Sequence, residues 1–174
     1  MQQTHWSLGT WGKARIPVSM HWSVLVACAW LFVLLRDLVS AAIASVAFVI
    51  LMLIHEFGHV VFHRWRKIPV ATIELSGIHG TTTHGWLSSA DETFVAWGGV
   101  AAQLVVLVVA WLLLSFVNIP AIPLVGRIIE PVLYVFVNVN IFLIVVALLP
   151  IGPFDGHAAW GFISQARARG RQRR

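Results

Sequence analysis

Cysteine occurs once in these 174 residues, and charged side chains make up only 11% of them. The lone cysteine, Cys28, excludes an internal disulfide, and its place inside an apolar run suits a small buried hydrophobe. Soluble domains carry roughly a quarter of their residues as charges, so this chain has too few to coat a water-facing surface. Acidic groups are scarcer still: 7 against 12 Lys and Arg, for a formal net charge of +5. The basic residues sit at the ends of apolar runs, which favours orientation in a membrane over nucleic-acid binding. No internal repeat is visible, and the first residues lack the basic-then-apolar order of a cleavable signal. What the chain has in abundance is apolar mass. Hydrophobic residues reach 59%, nine are tryptophans, and the mean hydropathy is +0.83. The length suits one domain, and a lipid bilayer is the solvent that fits this composition.

Four apolar stretches, at about 18–35, 39–63, 94–117 and 128–149, approach the roughly 20 helical residues that cross a bilayer. Lys and Arg then suggest an orientation. With the amino terminus in the cytoplasm, the inner segments hold Lys13, Arg15, Arg64, Arg66, Lys67, Arg167, Arg169, Arg171, Arg173 and Arg174. Only Arg36 and Arg127 remain outside, which accounts for all 12 cations. The positive-inside rule selects this arrangement, a multi-pass protein of the cell (inner) membrane with both termini cytoplasmic. Between the second and third stretches the pattern changes. Residues 70–75 and 81–87 are β-prone, with Gly77 and Gly80 between them, and read as a hairpin. The expected fold is an all-α membrane protein of about four transmembrane helices with a small β-hairpin between the second and third. Residues 1–164 form the core, and 165–174 form a basic cytoplasmic tail, disordered or lying against anionic headgroups.

The second stretch contains His55-Glu56-Phe57-Gly58-His59. Positions four apart share a helix face, so His55 and His59 can present two imidazoles to one metal. Glu56 lies beside them as a general base, the spacing of a zinc hydrolase. A chance match yields only a polar patch. Inside an apolar span, however, a charged residue costs about 3 kcal/mol on insertion scales, and ionisable groups there serve function by default. A catalytic zinc takes three protein ligands and leaves one position open. The fourth stretch runs into Leu149-Pro150-Ile151-Gly152-Pro153-Phe154-Asp155-Gly156, and four spans return Asp155 to the depth and side of the two histidines. Asp155 is therefore the best third ligand. Pro150 and Pro153 break the helix there, and Gly156 permits close backbone approach.

These motifs, in this order, resemble the site-2 protease family of intramembrane zinc metalloproteases. The resemblance extends to Ile16-Pro17-Val18-Ser19-Met20-His21-Trp22 before the first stretch, to the hairpin, and to Gly98-Gly99 in the third stretch. It covers nearly the whole chain to about Ser164. It implies one zinc ion per chain, held by His55, His59 and Asp155, with Glu56 as base. It also implies a transmembrane protein substrate, cleaved within or near the bilayer and held in extended form along the hairpin edge. Asn140 matches the family's asparagine ahead of the aspartate motif, which implies contact with substrate or its oxyanion. A hydrogen bond to a neighbouring helix is the alternative role. The chain departs from the family pattern at Ala147, Gly152 and Gln103, positions that concern substrate handling and not the metal.

Other residues carry plainer readings. His63 suits the membrane interface beside Arg64, His79 and His84 a solvated hairpin, and His157 a supporting position near Asp155. Trp22, Trp86, Trp97 and Trp160 suit an aromatic belt. An inactive relative that only binds membrane clients is the main alternative function, disfavoured by the intact Glu56. A metal transporter ranks last, because the polar groups gather at one depth. Neither the substrate nor a regulatory partner is named by the sequence.

Overall fold

A computed structural model of the protein describes residues 4–12, 14–116 and 123–161. The basic tail at 165–174, together with Lys13 and Val117, lies outside them. The elements in order are β1 (His5–Trp11), β2 (Ile16–His21), α1 (Val24–Leu35), α2 (Leu38–Trp65), β3 (Val70–Ser76), β4 (His79–His84), α3 (Ser89–Phe116) and α4 (Pro123–Tyr134). A π-helical turn (Val135–Val139), α5 (Asn140–Ala147) and a short α6 (Gly156–Ala159) complete them.

Among the described residues, three helices are long and apolar enough to cross a membrane: Leu38–Trp65, Ser89–Phe116 and the stretch Gly126–Ala147. They correspond to the second, third and fourth stretches of the sequence. The first stretch does not form one long helix. Residues 18–21 belong to β2, and α1 has only 12 residues. At 1.5 Å per residue α1 is about 18 Å long, short of the roughly 30 Å hydrocarbon layer. Hydropathy alone cannot separate an apolar strand from the helix that follows it. Alternation can: Ile16 and Val18 are buried while Pro17 between them is exposed.

The all-α expectation needs a second correction, because the structure is mostly helical with a four-stranded sheet in the order β1-β2-β3-β4. β1 and β2 are antiparallel, β2 and β3 parallel, and β3 and β4 antiparallel. The parallel pair Val18↔Ile73 and Met20↔Leu75 joins strands that the α1–α2 helical hairpin separates in sequence. The hairpin of β3 and β4 is thus half of a larger sheet. Ser23 fastens the junction: its hydroxyl accepts from the Gly77 backbone N–H at 2.8 Å and contacts His21 Nδ1 at 2.7 Å.

Helix starts follow from local chemistry. Asp37 caps α2 by accepting from the Ser40 N–H at 2.8 Å, and Arg36 before it turns the chain at φ 53°. Before α3, the Ser88 hydroxyl accepts from the Asp91 N–H at 3.2 Å and donates to the Asp91 carboxylate at 2.6 Å, a reciprocal N-terminal cap. One face of α2 is buried along Ala44, Phe48, Met52, Glu56, His59 and His63, the three-to-four spacing of a helix packed on its neighbours. It meets α3 where Gly58 faces Gly98. A Cβ at either glycine would overlap backbone of the other helix, so the two backbones pack directly, as small residues allow between membrane helices.

That contact leads to a prediction. Gly98→Val should push α3 off α2 and lower the thermal midpoint in detergent, read from tryptophan fluorescence. Overpacking typically costs about 1–3 kcal/mol, and a clash with backbone belongs at the upper end. An unchanged midpoint would mean that the two helices do not meet there.

Candidate metal centre

The His55, His59 and Asp155 side chains, which the sequence placed at one depth, meet in the structure. His55 Nε2 lies 3.2 Å from His59 Nε2. Asp155 Oδ2 lies 2.9 Å from the first and 3.3 Å from the second. Two ligands on a tetrahedral zinc, each at about 2.0–2.1 Å, stand roughly 3.3 Å apart. The observed spacings fit such an ion. Among the described residues these three form the group of His, Cys and acidic side chains able to hold a metal.

The proton positions on the rings strengthen the fit. His59 Nδ1 lies 2.9 Å from the Val95 carbonyl, which can only accept, so Nδ1 carries the proton and the neutral ring turns a bare lone pair at Nε2 toward the group. His55 Nδ1 donates in the same way to Gln103 Oε1 at 3.0 Å. Each imidazole is thereby fixed by a partner behind it, the usual support of a ligating histidine. Two imidazole nitrogens and a carboxylate oxygen at these distances need a proton or a metal cation among them. Burial pushes the Asp155 carboxyl up, but hydrogen bonds and charge from His55 and His59 outweigh it and hold the carboxyl below the usual carboxylate range. The residue thus stays an anion.

Elements on three sides bring these groups together. His55 and His59 lie one turn apart on α2. The His55 ring fits because residue 99 is glycine: a Cβ there would overlap it. Asp155 arrives on the loop after α5, and Trp160 Nε1 donates to the Leu148 carbonyl at 2.8 Å across that loop. From α3, Trp97 Nε1 donates to the Ala159 carbonyl at 3.3 Å and the Thr93 hydroxyl to the Ala158 carbonyl at 3.0 Å. Trp97 and Trp160 pack edge to face. Both therefore anchor the ligand loop, whereas Trp86 is 90% exposed. The tight turn into α6 leaves no room for a side chain at Gly156, where a Cβ would overlap Leu148 and Leu149 backbone.

Glu56 is 1% exposed. Its Oε2 accepts from the Thr82 hydroxyl at 2.8 Å. Its Oε1 lies 3.9 Å from His55 Nε2 and has no hydrogen-bond partner among the described residues. A cavity of about 30 Å³ beside the group is lined by His55, His79, Gly80, Gln103 and Asp155, among others. A polar cleft of about 270 Å³ opens on its other side, past Glu56, His59, His84 and His157.

Asn140 is fully buried, but in the helix packing. Its Nδ2 donates to the Gln103 carbonyl at 3.0 Å and to the Phe136 carbonyl at 3.2 Å. It tethers α5 to α3 beside the residue that orients His55. His63 is 1% exposed and donates from Nδ1 to the His59 carbonyl at 2.8 Å, with its ring 4.8 Å from that of His84. Two contributors escaped sequence reasoning. Gln103 was noted only as a departure from a pattern, although a polar side chain in the run 100–109 is itself a signal of function. Thr82 is one of three consecutive threonines and carries no such mark.

Gln103→Leu should therefore lower metal affinity by about 10–100-fold, the usual range for losing the partner behind a ligating histidine. Chelator competition on the purified protein measures it. Unchanged affinity would remove Gln103 from the centre.

No protein-family profile and no curated protein sequence matches the chain. Among solved structures, the Site-2 Protease from Methanocaldococcus jannaschii matches with a TM-score of 0.69 at 20% identity, over 92% of this chain and 73% of that one. Packed helices, sheet and ligand loop together therefore have the fold of a site-2 protease.

Proposed function

We propose that the protein is an intramembrane zinc metalloprotease of the site-2 protease type. It cleaves peptide bonds in or near the transmembrane segments of membrane-protein substrates, in regulated intramembrane proteolysis. The observation that carries this reading is the convergence of His55, His59 and Asp155 beside the buried Glu56, on apolar helices and on that fold.

His55 Nε2, His59 Nε2 and Asp155 hold one zinc ion per chain. When bound, zinc supplies a Lewis acid for the scissile carbonyl and makes water a nucleophile near neutral pH. Glu56 serves as the base. Its unpartnered Oε1 takes a proton as water attacks and returns it to the departing amine nitrogen. Burial of the site keeps bulk water out and strengthens these charge interactions. Asn140 supports the site through its bond to Gln103 of α3.

An apolar groove of about 880 Å³ runs between α1 and the π-helical turn with α5. Ile78 and Leu143 line both this groove and the cavity beside the metal-binding group. A transmembrane segment resting in the groove would therefore be next to the chemistry. β4 is an edge strand, so an extended substrate can pair along it. Arg15, Arg64, Arg66 and Lys67 flank the sheet, while Arg36 precedes the other end of α2 and Arg127 interacts with Asp37 there. That distribution supports a cytoplasmic sheet and active site, in the cell (inner) membrane.

Zinc per chain, measured on the wild type, Glu56→Gln and Asp155→Ala, tests the assignment alongside cleavage of co-expressed single-span membrane proteins. The wild type should hold near-equimolar zinc and cleave. Glu56→Gln should keep the metal and lose cleavage by about 100-fold or more. Asp155→Ala should lose both. A wild type that takes up no divalent metal even when supplied sinks the enzyme reading. A metal-loaded wild type that binds such proteins without cutting them favours the inactive client-binding relative.

A further inference from the structure

Glu56 has a partner that the zinc-hydrolase motif does not supply. The β3–β4 register sets Thr82 opposite Ile73 and Gly80 opposite Leu75. Ile73 and Leu75 are buried while Thr81 and Thr83 are exposed. Side chains alternate along a strand, so Thr82 and Gly80 belong to the sheet face that packs on α2. There the Thr82 hydroxyl donates to Glu56 Oε2 at 2.8 Å. At Gly80 a Cβ would overlap Oε1 of the same carboxylate, so glycine is what leaves Oε1 clear on the β4 side. The other oxygen, Oε1, is buried without a partner and lies 3.9 Å from His55 Nε2.

A carboxylate rotates readily about its last torsion. A base must nevertheless keep one oxygen turned to the reacting atoms, since geometry comes before proton affinity. One hydrogen bond on Oε2 decides which oxygen stays free. We propose that Thr82 is the positioning residue of the general base: its hydroxyl holds Oε2, and Oε1 is thereby directed to the metal-binding group. This inference rests on the protease reading above. It adds a link between recognition and chemistry. β4 is the open edge of the sheet, so the strand to which a substrate would pair is also the strand that aims the base. A displacement of β4 moves Thr82 and releases the carboxylate.

The test uses the full-length, zinc-loaded protein in detergent and a single-span membrane reporter that the wild type cleaves. Thr82→Val keeps the shape of the side chain and removes the donor. It should lower kcat about tenfold, the scale of one hydrogen bond to a charged group, with zinc content and KM unchanged. Thr82→Ser should restore most of the rate. Hydrogen exchange supplies a readout independent of cleavage: β4 amides should exchange faster in Thr82→Val and in Glu56→Ala, but not in Glu56→Gln, whose amide oxygen still accepts. Wild-type kcat in Thr82→Val, a loss that serine does not restore, or unchanged exchange in both loosened variants overturns the role of Thr82 while the protease reading stands. A wild type that holds no zinc and cleaves no reporter overturns both.

Discussion

His55 Nε2, His59 Nε2 and Asp155 Oδ2 all point into the same small volume, where a proton or a metal cation must join them. In water such a group would drift apart. Here it is held by bonds on the far side of each ring, to Val95 and Gln103, and by the Trp97 and Trp160 bonds on the Asp155 loop. The three atoms come this close only with a cation, proton or metal, among them. That demand explains why polar contacts concentrate in one layer of an otherwise apolar molecule.

Small residues make that layer possible. Gly58 and Gly98 let α2 and α3 touch backbone to backbone, Gly99 accommodates the His55 ring, and Gly80 lets the sheet reach the Glu56 carboxylate. Each removes a side chain where two polar elements must approach more closely than ordinary packing allows. Together they thin the structure around the site on two sides, toward α3 and toward β4.

Much of this was legible in the sequence, and the reasons are specific. His55, Glu56 and His59 are conspicuous because ionisable groups in an apolar run demand an explanation. Asp155 could be matched to them because the two apolar stretches after the second return the chain to the end of α2 that carries the histidines. The short α1 and the two-strand extension of the sheet were not legible. Residues 16–21 are apolar enough to merge into the next helix, and their partner strand β3 lies beyond α2, a pairing that no local pattern encodes. The burial of His63 was not legible either: its neighbour Arg64 draws attention outward, while its own side of α2 faces inward. Gln103 and Thr82 make their contacts across elements, and only the assembled structure brings them to His55 and Glu56.

The order of His55, His59 and Asp155 along the chain has a consequence for biogenesis. Two of them lie on the first long helix, and the third follows the last one. While the protein is being inserted, α2 must enter the bilayer with both histidines and Glu56 unmatched, and the set closes only after α3 and α5 have been made and the loop behind them has turned back. A nascent chain arrested before that loop holds no complete centre. Timing is thereby written into the topology, and the metal-binding group forms last, as a clasp over a finished bundle.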